Sequence, residues 1–187
     1  MTGNNRHRCL QIKLFIHYFC MPIKMITNSK ISGIHHITAI ASSASENLAF
    51  YENVLCLRLV KKTVNFDDPY TYHLYYGDSD GAPGTIITFF PWENLPRGKT
   101  GAGMVTAIAF SIPMGSADYW RKKLKMHGIE IKEDKRFGDQ IIQFADPDGL
   151  SLELIVTPTV GSTSIRSRNS DLSAHGIVGL HSASVTL

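Results

Sequence analysis

Cysteine is scarce in this sequence. There are three, Cys9, Cys20 and Cys56, an odd number with no CxxC spacing. Such usage fits a reducing, cytoplasmic setting better than a disulfide or zinc–cysteine framework. An excess of one charge is missing as well. The formal net charge is +3, and Lys and Arg form no dense patch, which argues against nucleic acid as a partner. No charge-free run is both long and apolar enough to span a bilayer. No residues follow the order of a Ser-His-Asp or Cys-His nucleophile. Gly81-Ala-Pro-Gly84 and Gly98-Lys-Thr-Gly101 are turn signals without phosphate-loop spacing. What is there is a chain of 187 residues, 43% hydrophobic and 10% aromatic. That suffices for a sizeable core and is too apolar for intrinsic disorder.

Residues 1–30 read as an irregular extension. Their apolar stretch is interrupted by Lys13 and His17, lacks a small-x-small cleavage site, and runs directly into Pro22 and Lys24. These features argue against a secretory signal or anchor. Met25 reads as an alternative first residue, which would remove Cys9 and Cys20 from the argument.

From there the chain repeats itself. Residues 33–41 are β-branched and read as a strand. Ser43-Ala-Ser-Glu46 fits a capping box opening a helix with Leu48, Tyr51 and Leu55 on one stripe and Val54 beside it. Strands follow at 57–66, 71–77 and 84–90. The same order returns: a strand at 103–112, a helix capped by Ser116 and stopped at Gly128, then strands at 129–132, 140–145 and 150–156. Asp146-Pro-Asp-Gly149 marks the last hairpin. The offset is about 70 residues, with Gly33 matching Gly103 and Asp80-Gly81 matching Asp148-Gly149. This predicts an α+β fold of tandem βαβββ modules, residues 31–92 and 103–156. Residues 157–176, rich in Ser and Thr, read as a linker. Residues 177–187 repeat the opening strand and read as the start of a third module, so the length itself suggests a cut chain.

Two βαβββ modules with a His-bearing first strand, and a DPDG turn before an apolar strand carrying Glu, resemble the vicinal-oxygen-chelate superfamily. That superfamily holds glyoxalase I, bleomycin-resistance proteins, fosfomycin-resistance enzymes and extradiol dioxygenases. Gly33-Ile-His-His-Ile-Thr38, Tyr72-His-Leu-Tyr75, Gly81-Ala-Pro-Gly-Thr85 and Arg136-Phe-Gly138 are most similar to ring-cleaving dioxygenases of hydroquinones. The resemblance covers residues 31–187. It implies Fe(II), with Mn(II) or Zn(II) as alternatives, held by two His and one carboxylate, with positions open for a phenolic oxygen and O₂.

By this resemblance His36 is a metal ligand, and His35 and Thr38 sit near the metal or touch substrate. In a strand His36 and Thr38 share a face and His35 points to the other, so His35 needs a bulge or a strand edge to join them. The position matching His36 in the second module is Thr106, not a His. The matching carboxylate is Glu153, which closes the metal site in two-module relatives. In four-module ring-cleaving enzymes the first module pairs instead with a fourth that supplies the remaining His and Glu. Glu153 is then a relic of duplication or a solvent-facing strand residue.

His73, in a Tyr-rich strand, reads either as a cross-strand partner of aromatics or as a third imidazole beside a substrate pocket. His127 reads as a helix-end residue, and Cys56 as a small buried hydrophobe. His181 aligns with His35, and Ser182 occupies the ligand position of the nascent third module.

Three functions stay open: part of an Fe(II) ring-cleaving dioxygenase taking a small aromatic substrate and O₂; a dimeric two-module metalloenzyme built on His36 and Glu153; and a metal-free ligand binder of the bleomycin-resistance type. The partner is a second copy or a missing carboxy-terminal half, with no nucleic acid and no membrane. With one firm ligand position of three, the isolated chain is expected to have negligible dioxygenase activity.

Overall fold

A computed structural model describes residues 13–15, 33–93, 95–96, 98–99, 101–158 and 174–187. Most of the expected linker, and most of residues 1–30, lie outside them. The first sheet has the order β1 (Lys13–Phe15), β2 (His36–Ala41), β5 (Ile86–Pro91), β4 (Tyr72–Gly77), β3 (Arg58–Val64). The second has the order β10 (Gly179–Thr186), β6 (Met104–Pro113), β9 (Ser151–Thr157), β8 (Asp139–Ala145), β7 (Lys132–Arg136). In each module the first and last strands pair in parallel, β2 with β5 and β6 with β9, and every other pairing is antiparallel. A parallel pair needs a crossover. α1 (Ala44–Leu48), continued by a π-helical stretch at Ala49–Val54, begins the first, and α2 (Ala117–Met126) begins the second. The repeat read from the sequence is thus a repeat of topology. The strand expected at 177–187 forms, and pairs antiparallel with β6. Where an irregular extension was expected, a short strand at Lys13–Phe15 pairs with β2.

Strand alternation decides where the core sits. Ile37 and Ala39, Leu74 and Tyr76, and Ile87 and Phe89 point inward from the first sheet. Ile108 and Phe110, Ile142 and Phe144, and Leu152 and Leu154 point inward from the second. All belong to one cluster with Phe50, Tyr51, Trp120 and Leu124 from the helices. Both sheets therefore turn their inner faces to a shared core. The alternate residues of each sheet face away from it.

Asp146 fastens the two modules. Its Oδ1 accepts from the Asp148 and Leu150 N–H groups, and its Oδ2 accepts from the Tyr51 hydroxyl at 3.0 Å. Burial pushes its carboxyl up to about 6. Asp78 does the same local work in the first module, accepting from the Asp80 and Ala82 N–H groups. Ser42 adds two bonds to Asp148, and Leu180 N–H donates to Gly84 O at 2.7 Å.

Four expectations need correcting. Ser116 caps no N–H with its side chain; its Oγ meets His175 Nδ1 at 3.1 Å instead. The strand expected at 129–132 begins at Lys132, because Ile129 and Ile131 pack on the core while the charged residues that follow take the sheet edge. Cys56 is half-buried, at φ +56°, and accepts from Lys123 Nζ at 2.9 Å rather than serving as plain hydrophobic filling. Glu153 is buried and not solvent-facing. Among the described residues no helix is long and apolar enough to cross a membrane.

Candidate active site

The outer face of the first sheet collects the polar residues that the core cannot use. Thr38 on β2 lies level with Thr88 on β5, and Thr88 lies level with Tyr75 on β4. His36 and His73 sit two residues from this row on its opposite sides, His36 toward Ile86 and His73 toward Phe90, on the same face. Thr88 Oγ1 donates to Thr38 Oγ1 at 2.9 Å. His73 Nε2 meets Thr88 Oγ1 at 3.0 Å, and the Tyr75 hydroxyl meets His73 Nδ1 at 2.8 Å. The His73 ring lies between Tyr75 and Phe90, with centroids 4.1 and 3.9 Å away. Phe90 in turn stacks on Trp92 at 5.8 Å. Burial, then His36 and Lys61, hold the His73 imidazole down at about 4, so it is neutral near pH 7.

His35 joins this face without a bulge. β2 begins at His36, so His35 precedes the strand and escapes its alternation. Its Nδ1 lies 2.9 Å from His36 Nδ1, with the rings edge to face. His35, His36 and Thr38 are thus brought together, and His73 is linked to them through Thr88 from the far side of the row. Glu153 is not. It stands level with Ala109 and Gln143 on the outer face of the second sheet, and the shared core lies between that face and His36. Glu153 is 3% exposed; its Oε1 accepts from Arg136 Nη2 and from Gln143 Nε2. Its Oε2 has no hydrogen-bond partner among the described residues. A cavity of about 590 Å³ between the end of α2 and β8, lined by Lys125, Ile129, Gln143 and Phe144, includes none of His35, His36, Thr38, His73 and Glu153.

Residues 33–154 match the Glyoxalase/Bleomycin resistance protein/Dioxygenase superfamily. The chain belongs to that superfamily. A member from Bacillus subtilis (strain 168) named as the ring-cleaving dioxygenase MhqO is 51% identical over 126 residues, which are 67% of this chain and 40% of MhqO. The chlorohydroquinone/hydroquinone 1,2-dioxygenase of Sphingobium indicum is 36% identical over 136 residues, 71% of this chain and 42% of that enzyme. A crystal structure from Bacillus subtilis, described as that of a dioxygenase, superposes with a TM-score of 0.79 at 42% identity, over 84% of this chain and 51% of that one. The chain spans about two fifths of the length of these curated relatives.

Metal chemistry in this superfamily asks for a converging donor set. Among the described residues no group of three or more His, Cys, Asp and Glu is placed to hold a metal ion. The His36 face offers imidazoles and hydroxyls but no carboxylate, so two His and one carboxylate do not close within these residues. His36 and Thr38 were singled out from sequence, and the strand sets them on one face. His73 was read as a cross-strand partner of aromatics, as it proves to be, but Thr88 and its hydrogen bonds were not foreseen. Their signal is cross-strand register between segments 15 and 50 residues apart, which no local period encodes.

Proposed function

We propose that the His36 face is one wall of the active site of a ring-cleaving dioxygenase acting on a hydroquinone-type phenol with O₂. The observation that carries this reading is the placement of His36, His35, Thr38 and His73 on one face turned away from the core, beside Tyr75 and Phe90. Relatives named for ring cleavage, one of them for hydroquinone, support the substrate class. His36 would contribute one ligand to Fe(II), Mn(II) or Zn(II). The remaining donors would come from polypeptide outside the described residues. What the chain's own residues do is place a phenol beside His36, present hydroxyls to its oxygens, and exclude water from that side.

Anaerobic titration of the isotope-labelled chain with hydroquinone tests the reading. Resonance shifts centred on His36, His73 and Thr38 are expected; shifts confined elsewhere, or none, overturn it. On aeration with Fe(II) present, oxygen uptake should stay at background. Robust turnover would overturn the assignment of an incomplete donor set.

One observation favours a second reading. The partnerless Oε2 of buried Glu153 suits a two-module metalloenzyme that closes its site across a dimer. Stoichiometric metal binding that is lost in both H36A and E153A would establish it.

A further inference from the structure

The row of hydroxyls beside His36 has a direction. A threonine hydroxyl has one hydrogen to give, and that of Thr88 goes to Thr38 Oγ1. Towards His73 the same oxygen can therefore only accept, so His73 Nε2 carries the hydrogen in the 3.0 Å contact. In a neutral imidazole the other nitrogen is then an acceptor. His73 Nδ1 accordingly takes the Tyr75 hydroxyl hydrogen at 2.8 Å. Every donor in the row points the same way, from Tyr75 through His73 and Thr88 to Thr38. At the far end Thr38 accepts, and its own hydrogen has no acceptor among the described residues. Thr88 is 1% exposed and Thr38 is 7% exposed, so that hydrogen sits where an unmade bond is costly.

We infer that His73 is a positioning residue. Through Thr88 it fixes Thr38 as a hydrogen-bond donor aimed at an oxygen of the bound phenol beside His36. The inference rests on the function proposed above for this face and adds how the ligand is read there. A phenolate or hydroxyl oxygen can accept from Thr38, whereas an aromatic ring without oxygen leaves the donor unsatisfied. The stacking of His73 between Tyr75 and Phe90 holds the ring in the orientation that keeps Nε2 on Thr88 and Nδ1 on Tyr75.

Long-range proton–nitrogen correlation on the full chain, labelled in histidine, reads the His73 tautomer directly and needs no ligand. Hydrogen on Nε2 near pH 7 is expected. Hydrogen on Nδ1, or a cationic ring, overturns the row. Hydroquinone binding, measured anaerobically by calorimetry on the same protein, reads its consequence. T88V should weaken binding about tenfold, and T88S should restore it to within about twofold of wild type. H73Q, whose amide can still donate to Thr88, should bind about as wild type does, whereas H73F should behave like T88V. Equal affinity in wild type and T88V overturns the inference even if the tautomer is as expected. If wild type binds no hydroquinone, the ligand half falls together with the proposed function, while an Nε2 hydrogen still upholds the directed row. The two failures therefore look different.

Discussion

His73 and Asp146 carry opposite protonation debts, one on the outer face and one in the core. In the unfolded chain a histidine binds its proton below about 6.5, while folded His73 does so only below about 4. Between those values the unfolded state holds more protons, so this residue makes stability rise with pH. Burial raises the Asp146 carboxyl from 3.8 to about 6, so over that window the folded state holds the extra proton and stability falls as pH rises. The slopes oppose each other between about pH 4 and 6. Wild type should therefore be nearly flat there in denaturant midpoint. D146N should rise with pH, and H73Q should fall. A wild-type curve as steep as that of D146N would contradict the assignment. At the same scale, Y51F removes the hydroxyl that faces Asp146 Oδ2 and should cost about 1–3 kcal/mol, measured by urea unfolding.

Elements were the most legible level. β-Branched runs, turn signals and the repeat placed β2, β3, β4, β5, β6, β8 and β9. The Ser43 cap was legible too, since Glu46 N–H does donate to its Oγ. What these signals could not place was β7. Its sequence, KEDKR, carries no buried residue, and it is held by its ladder to β8 and by Glu133 gripping Arg121 from α2. The π-helical turn was also hidden: it brings Phe50 into the core beside Tyr51, where an ideal helical stripe had no place for it. At this scale Gly179 is the most exposed to test. A Cβ there would lie 2.8 Å from the Gly84 carbonyl oxygen, so backbone must move. G179A should cost about 1–3 kcal/mol. It should also loosen β10, seen as faster amide exchange along 179–186 with β8 and β9 unchanged.

The whole molecule explains why the candidate site was only half readable. His36 and Thr38 announce themselves by sequence, and so does Glu153 as the matching carboxylate. Their separation does not, because it depends on which faces of two sheets share a core. Arg136 and Gln143 already occupy one oxygen of Glu153, which gives that carboxylate an electrostatic setting of its own. E153Q should therefore leave hydroquinone shifts at His36 and His73 unchanged. Transmission of the substitution to those resonances would refute the separation.

The back-to-back sheets have one more consequence. Substitutions on the two outer faces touch no common neighbour, and a close-packed core stands between them. Their effects on stability should add, with a coupling energy below about 0.5 kcal/mol in a cycle combining T88V and E153Q. Independence of that kind frees each face to change on its own. One can be altered without the other having to follow.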